Sequence, residues 1–368
     1  MKLILDGCKL QWHTDRVKRW KSGERIAPIT IDCALTTQCN YRCVYCYGNM
    51  QLINQCPHLE KDVIMNFLDD AKDIGVKAIS FVSDGESTCN PHYVDAILHG
   101  NEIGIDMALG TNGYLLNEDS LLKILPALTY LRFNITAGER KRYAEIHGCK
   151  ESAFDKVCDN IKKAVEIKKA NNLDVTIGLQ MVFLPEFADQ VMPLTKLGKN
   201  LGVDYLVIKH CSDDEDGTLG VEYEKYFDYE QLLKDVEAMS TEDYQVSAKW
   251  SKLMGHGKKS YSKCYGAPFI LQLSGSGLVA PCGFLFNDKY KKYHIGNINN
   301  ERFKDIFNSD RYWEVMDMIA SDPFDTNIDC GTLCLQHKAN EYLWDIKNNN
   351  KEITVANNLT PPPHINFI

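Results

Sequence analysis

No apolar stretch in this 368-residue chain is long enough to span a bilayer. The opening Met-Lys-Leu-Ile-Leu-Asp-Gly is broken by charge too early for a secretory signal. Both absences point to a protein that stays in the cytoplasm. Excess positive charge is missing as well: 41 Lys and Arg stand against 50 Asp and Glu, a net charge of −9. Neither a nucleic-acid backbone nor an anionic membrane surface suits such a chain as its main partner. No repeat of fixed period is present beyond an alternation of strand-like and helix-like segments. What remains, 44% hydrophobic and 25% charged, describes a globular protein with room for a full core, in one large domain or one large and one small.

Cysteine, by contrast, is plentiful, with fourteen in the chain. In a reducing compartment such residues serve as metal ligands or free thiols more than as disulfides. They are unevenly placed. Cys39, Cys43 and Cys46 fall in Thr-Thr-Gln-Cys-Asn-Tyr-Arg-Cys-Val-Tyr-Cys-Tyr-Gly, and Cys264, Cys282, Cys330 and Cys334 lie towards the C-terminus. Cys8, Cys33, Cys56, Cys89, Cys149, Cys158 and Cys211 are scattered, and several of them read as small buried hydrophobes.

Residues 1–28 read as an extension, with a strand over 2–5, a small helix around 15–20 and Pro28 closing the section. Apolar, β-branched runs then recur at 29–35, 78–82, 106–109, 130–136, 175–183 and 205–209. Amphipathic stretches at 61–74, 91–102, 117–125, 153–171 and 187–201 separate them. Six strand–helix units imply parallel strands with helical crossovers, hence an α/β barrel or open sheet over 29–217. A helical connector is expected over 218–262, with its clearest helix at 229–239, then a small unit over 263–347. The tail 348–368, with its Pro-Pro-Pro run, is expected to be extended or poorly ordered.

The triplet follows the first strand, at the strand end where barrels and open α/β folds place their active sites. Three thiols are one too few to saturate a 4Fe–4S cube, which leaves one iron open. A structural zinc would need a fourth ligand, and no nearby Cys or His supplies it.

On these residues the chain resembles the radical S-adenosylmethionine (radical SAM) superfamily, whose CxxxCxxC loop holds a 4Fe–4S cluster. The resemblance covers roughly residues 29–211 and implies a partial (β/α)6 TIM-like barrel. It also implies that the amino and carboxylate groups of S-adenosylmethionine chelate the open iron, and that reduction yields methionine and a 5′-deoxyadenosyl radical. Cys39, Cys43 and Cys46 become the implied ligands, and Tyr45, the aromatic residue before the third Cys, an implied packing surface for the adenine. Ser83-Asp84-Gly85-Glu86-Ser87-Thr88 stands where the family has Gly-Gly-Glu-Pro-Thr, with Asp84 for the first Gly and Ser87 for Pro. Asp84, Gly85 and Glu86 are thereby expected at the methionine amino group. Gly110-Thr111-Asn112-Gly113 is similar to the family's Thr-Asn-Gly ending, or is an ordinary turn. Asn134 replaces a Ser that approaches the cofactor in many relatives, and Gln180 is polar in an apolar run; both suit a cofactor contact or a satisfied buried amide.

The second cysteine set, with twelve residues from Cys264 to Gly277 and four more to Cys282, resembles the Cys-x(9–15)-Gly-x4-Cys opening of SPASM and twitch extensions. Cys330 and Cys334 close it as CxxxC. Four thiols imply one fully ligated auxiliary 4Fe–4S cluster, suited to moving electrons or organising the site. A four-cysteine zinc ribbon, usually CxxC at both ends, and an absence of metal are the alternatives.

Lys209-His210-Cys211 ends the sixth run just before the acidic Ser-Asp-Asp-Glu-Asp-Gly of 212–217. Period two puts Lys209 and Cys211 on one face. A cavity-facing Cys211 thiol would return a hydrogen atom to a substrate radical, giving epimerisation. Otherwise an electron would pass to the auxiliary cluster, giving oxidation; Cys211 as a buried small residue is the plainer alternative. Lys209 and the acidic loop suit a polar substrate bearing an amino or phosphate group, or the loop is simply a solvated charged one. The resemblance to twitch-bearing enzymes that oxidise aminocyclitol alcohols implies a sugar or aminocyclitol type, an analogy at the level of fold. A reductant such as flavodoxin or ferredoxin is implied. Radical modification of a peptide is the competing reading, weakened because only 38 residues precede Cys39, too few for a leader-binding module. A non-enzymatic iron–sulfur or zinc protein is a third.

Overall fold

A computed structural model describes residues 3–50, 58–253, 255, 258–331, 334–354 and 360–368. Cys56 and Lys2 lie outside the described residues. Seven strands run parallel: β1 (Thr30–Cys33), β2 (Ala78–Phe81), β3 (Asp106–Thr111), β4 (Leu128–Asn134), β5 (Thr176–Phe183), β6 (Tyr205–His210) and β7 (Gln245–Ala248). β8 (Ile270–Leu273) pairs parallel with β1 on its other side, and β9 (Leu278–Ala280) and β10 (Gly296–Asn297) follow antiparallel. Among the described residues one sheet results, ordered β10-β9-β8-β1-β2-β3-β4-β5-β6-β7. The 263–347 unit therefore shares a sheet with the barrel, through Thr30↔Ile270 and Asp32↔Gln272.

The sheet is curled. In a flat one, β1 and β6 would stand roughly 24 Å apart at about 4.8 Å per strand. Yet Asp32 on β1 feels the charges of Arg132 on β4 and Lys209 on β6. Outward residues such as Ile31, Ile79, Leu109, Leu131, Ile177 and Leu206 are fully buried beneath helices such as Lys61–Ile74 and Ser152–Ala170, each contributing about 1.5–3 kcal/mol. No helix among the described residues is long and apolar enough to cross a membrane.

Three expectations need correcting. The connector 218–262 carries the helix Glu230–Glu237 but also the strand β7. Its four residues, Gln-Val-Ser-Ala, alternate half-buried and buried, too short a run to register as a strand. The N-terminal residues 3–5 form no strand; the Gln245 side chain takes up Leu3's backbone, accepting from its N–H (2.9 Å) and donating to its carbonyl (3.0 Å). Leu3 packs on Tyr205 and Val207 inside the barrel.

The tail is ordered over 360–368 and closes the mouth at the strand N-termini. Phe367 packs with Ala78, Ala108 and Tyr130, its ring 4.9 Å from that of Tyr130. Thr30 donates to the Asn366 carbonyl (2.6 Å), Asn366 to Asp106 (2.7 Å), and Lys9 to the Phe367 carbonyl (2.7 Å). Composition alone pointed to an extended tail; a single terminal aromatic finding an apolar barrel floor overrides it.

Candidate active site

The loop after β1 starts with Thr36–Thr37–Gln38, held between two glycines. A Cβ on Gly85, at φ +83°, would sit 2.2 Å from the Thr36 carbonyl oxygen, and one on Gly275 would sit 2.0 Å from the Thr36 carbonyl carbon. Only backbone this bare allows such approach. The Glu86 N–H also donates to the Gln38 carbonyl (2.8 Å). The triplet is then tied to the helix Arg140–His147, since Arg42 N donates to the His147 carbonyl (3.1 Å) and Val44 N to the Ile146 carbonyl (3.0 Å).

Cys39, Cys43 and Cys46 are brought together, each feeling another's charge. Burial, then the neighbouring thiols, push Cys43 well above the ordinary thiol range; burial, with Glu86 and Cys46 acting in the same direction, pushes Cys39 up to about 12. None of the leading influences on either is a cation. Thiolates in this setting need a metal's positive charge, so the donor set fits an iron–sulfur cluster. Among the described residues, no group of three His, Cys, Asp or Glu closes on a single ion. Cys43 Sγ also meets His147 Nδ1 at 3.2 Å.

Tyr45 is held inside the protein. Its hydroxyl accepts from Thr136 (3.1 Å), and its ring lies edge-on to His147 and Phe187. The carboxylates of the next motif are likewise committed. Asp84 accepts from Ser274 Oγ (2.6 Å) and Gly275 N (3.0 Å), clamping the β8–β9 turn onto the barrel. Glu86 accepts from Thr88 Oγ1, Thr111 Oγ1 and Asn112 N, each at 2.7 Å, joining the ends of β2 and β3. What this turn can offer a cofactor is backbone.

Inward-facing Asp32, Val82, Arg132, Asn134, Val182 and Lys209 keep accessible surface, whereas their outward neighbours Ile31, Phe81, Phe133 and Phe183 are buried. Asn134 and Gln180 form a registered pair, with the Gln180 amide donating to the Asn134 carbonyl (2.9 Å). Asp32 accepts from Gln272 (2.9 Å), and burial pushes its carboxyl up to about 6. A wide surface cleft lined by Leu3, Lys168, Asp174, Glu242 and Pro363 lies by the strand N-termini, at the other end from the triplet.

Cys211 departs from Lys209. It is 1% exposed, its Sγ lies 3.8 Å from the Tyr45 carbonyl and 3.6 Å from that of Ser212, and burial pushes the thiol up to about 12. The carboxylates of the acidic loop have partners within the protein. Asp213 accepts the N–H groups of Asp214, Leu219 and Val221, Asp214 binds Thr218, and Glu215 and Asp216 both pair with Lys289 (2.9 Å).

In the second set, Cys264, Cys282, Cys330 and Cys334 gather beside Asn340 and Lys259. The Asn340 amide reaches Cys334 Sγ (3.4 Å) and Cys264 Sγ (3.8 Å), and Lys259 Nζ reaches Cys330 Sγ (3.5 Å). Burial pushes Cys264 up to about 12 and Cys330 to about 11, so as thiolates they too suit a metal's positive charge. Tyr47 stands between the sets: it feels both Cys46 and Cys282, and its ring lies 5.6 Å from Phe284. Tyr47 was legible as the neighbour of Cys46; His147, Arg132, Lys259 and Asn340 had no local signal.

Comparison with known proteins agrees with this geometry. Residues 34–192 match the model of the radical SAM superfamily, and residues 264–335 that of the SPASM iron–sulfur cluster-binding domain. An AdoMet-dependent heme synthase of Methanosarcina barkeri is 24% identical over 327 residues, 83% of this chain and 88% of that one. A tungsten-containing aldehyde ferredoxin oxidoreductase cofactor-modifying protein of Pyrococcus furiosus is 21% identical over 294 residues, covering 76% and 80%. In fold, the chain resembles Streptococcus suis SuiB bound to S-adenosylmethionine (TM-score 0.64, 16% identity, 81% of this chain and 70% of that one). It also resembles anSMEcpe with bound AdoMet (TM-score 0.57, 17% identity, 88% and 100%). The chain belongs to the radical SAM superfamily, in its SPASM branch, as an enzyme of 4Fe–4S clusters and S-adenosylmethionine.

Proposed function

We propose that this enzyme abstracts hydrogen from an unactivated C–H bond of a polar small molecule, of sugar or aminocyclitol type, and completes its two-electron oxidation. The observation that carries this reading is the barrel lining. Asp32, Arg132, Asn134 and Lys209 face inward with accessible surface beneath the triplet, a chamber suited to holding polar groups in a set orientation. On one-electron reduction the bound cofactor supplies methionine and a 5′-deoxyadenosyl radical that takes a hydrogen atom from carbon.

Under this reading Cys39, Cys43 and Cys46 hold the radical-forming cluster, and the backbone of residues 84–86 faces the methionine end. Tyr45 stiffens the loop, and the Asn134–Gln180 pair presents a fixed amide to the cofactor. Lys209 orients a substrate hydroxyl. Cys264, Cys282, Cys330 and Cys334 would hold the auxiliary cluster, and the Lys259 and Asn340 donors at its sulfurs would raise its potential and so suit it to take up the second electron. A one-electron reductant of flavodoxin or ferredoxin type supplies the first. Epimerisation is the weaker outcome, because a 1% exposed Cys211 has no surface from which to return hydrogen to a substrate.

The test is deuterium transfer. A panel of carbon-deuterated polyols and aminocyclitols is incubated with reconstituted enzyme, S-adenosylmethionine and dithionite. Label in 5′-deoxyadenosine together with a product lacking two hydrogens supports the reading. Label arriving only from peptide substrates overturns it. Solvent deuterium entering the product carbon in wild type but not in Cys211→Ala would favour epimerisation instead.

A further inference from the structure

Among the described residues, Arg132 in the chamber forms no salt bridge. Arg132 sits at mid-depth on β4, between inward-facing Tyr130 and Asn134. Its strand neighbours in register are Gly110 on β3 and Gly178 on β5. A Cβ on Gly110 would stand 3.3 Å from Val82 and 3.4 Å from Arg132 Nη2, so glycine keeps β3 from crowding the guanidinium. Its Nε is buried without a hydrogen-bond acceptor, and its Cζ lies 5.6 Å from the Tyr130 ring centre. Asp32, the carboxylate of the same chamber, acts on Arg132 through its charge but takes its hydrogen bond from Gln272.

A guanidinium keeps its proton in any setting, and one whose Nε lacks an acceptor is ready to take one. Lys209 and Lys249 add positive charge from the β6 and β7 side, both within electrostatic reach of Asp32. A chain of net charge −9 has thus gathered cations inside its barrel. We propose that Arg132 forms an oxyanion subsite which receives a carboxylate or phosphate of the substrate. The planar fork would bind it bidentately. This rests on the reading of the barrel as the substrate chamber, and it narrows the substrate to an anionic polar molecule. It also supplies a reason for the depth of the site: an anion anchored at Arg132 leaves the rest of the molecule to rise past Asn134 towards the triplet.

The test uses anaerobically reconstituted enzyme titrated by calorimetry with inorganic phosphate and, separately, with succinate, against sodium chloride at equal ionic strength. Saturable binding of one of them is expected, and which one identifies the oxyanion. R132Q should weaken that binding at least about tenfold. R132K, which keeps the charge and loses the fork, should fall between the two, and it carries the test if R132Q does not fold. Wild type binding neither anion above chloride overturns the subsite, as does wild-type affinity in the folded variants. Release of 5′-deoxyadenosine by wild type is measured in the same preparation. Its absence would overturn the radical reading itself, whereas its presence without anion binding removes only the subsite.

Discussion

The Nδ1 atom of His147 lies 3.2 Å from the sulfur of Cys43, while its Nε2 lies 3.0 Å from the backbone nitrogen of Thr136. A backbone N–H can only donate, so Nε2 accepts and the ring proton sits on Nδ1, aimed at the sulfur. Burial pushes the imidazole down to about 3, so the ring is neutral throughout the ordinary range of pH. Such a donor stabilises the reduced state of a cluster held by that sulfur. Losing a bond of about 1 kcal/mol should lower a one-electron potential by about 40 mV. His147→Phe is therefore expected to lower the potential of the triplet's cluster, with little change between pH 6 and 9, in an EPR-monitored redox titration. An unchanged potential would remove the role.

Gly85 makes a second prediction. At φ +83° and with the Thr36 carbonyl where a Cβ would be, Gly85→Ala must displace either the turn or the cysteine loop. Iron per chain should drop from about eight to about four, the auxiliary site staying filled. Full iron with normal binding of S-adenosylmethionine would show that the loop tolerates the shift.

The tail should matter for stability. Phe367, 8% exposed, fills the barrel floor, and Phe367→Ala should cost about 3–5 kcal/mol in chemical denaturation of the cluster-loaded protein. A loss below about 1 kcal/mol would mean that the floor is closed by other groups.

The same tail gives a pH dependence. His364, beside Thr176 (2.8 Å), is pushed down to about 3, chiefly by burial and then by Lys9 and Lys168. An unfolded His binds a proton near pH 6.5, so the unfolded chain takes up the proton that the native tail refuses. This contribution is fully present above about pH 6.5 and is lost as pH falls from there towards about 3. His364→Gln should flatten part of that acid slope; His147, shifted the same way, retains the rest. An identical slope in the variant would contradict the assignment.

Legibility in the sequence followed the range of the interactions. The cysteine sets are local patterns, and the six parallel strands of the barrel are long apolar runs, so spacing and periodicity locate them. β7 is four residues of mixed polarity, and only its pairing with β6 makes it a strand. The acidic loop suited a polar substrate or plain solvation alike, because composition cannot show that Asp213 folds back on Leu219 and Val221. His147, 104 residues from Cys43, and Arg132, set between Gly110 and Gly178, acquire their chemistry only from tertiary contacts.

The account divides labour between two cysteine sets, and one comparison tests that division most directly. Wild type, Cys46→Ala and Cys330→Ala are reconstituted anaerobically, reduced with S-adenosylmethionine present, and assayed for 5′-deoxyadenosine. Wild type should release it, Cys46→Ala should release none, and Cys330→Ala should still release it without forming oxidised product. Radical formation surviving in Cys46→Ala, or none from iron-replete wild type, would contradict the account.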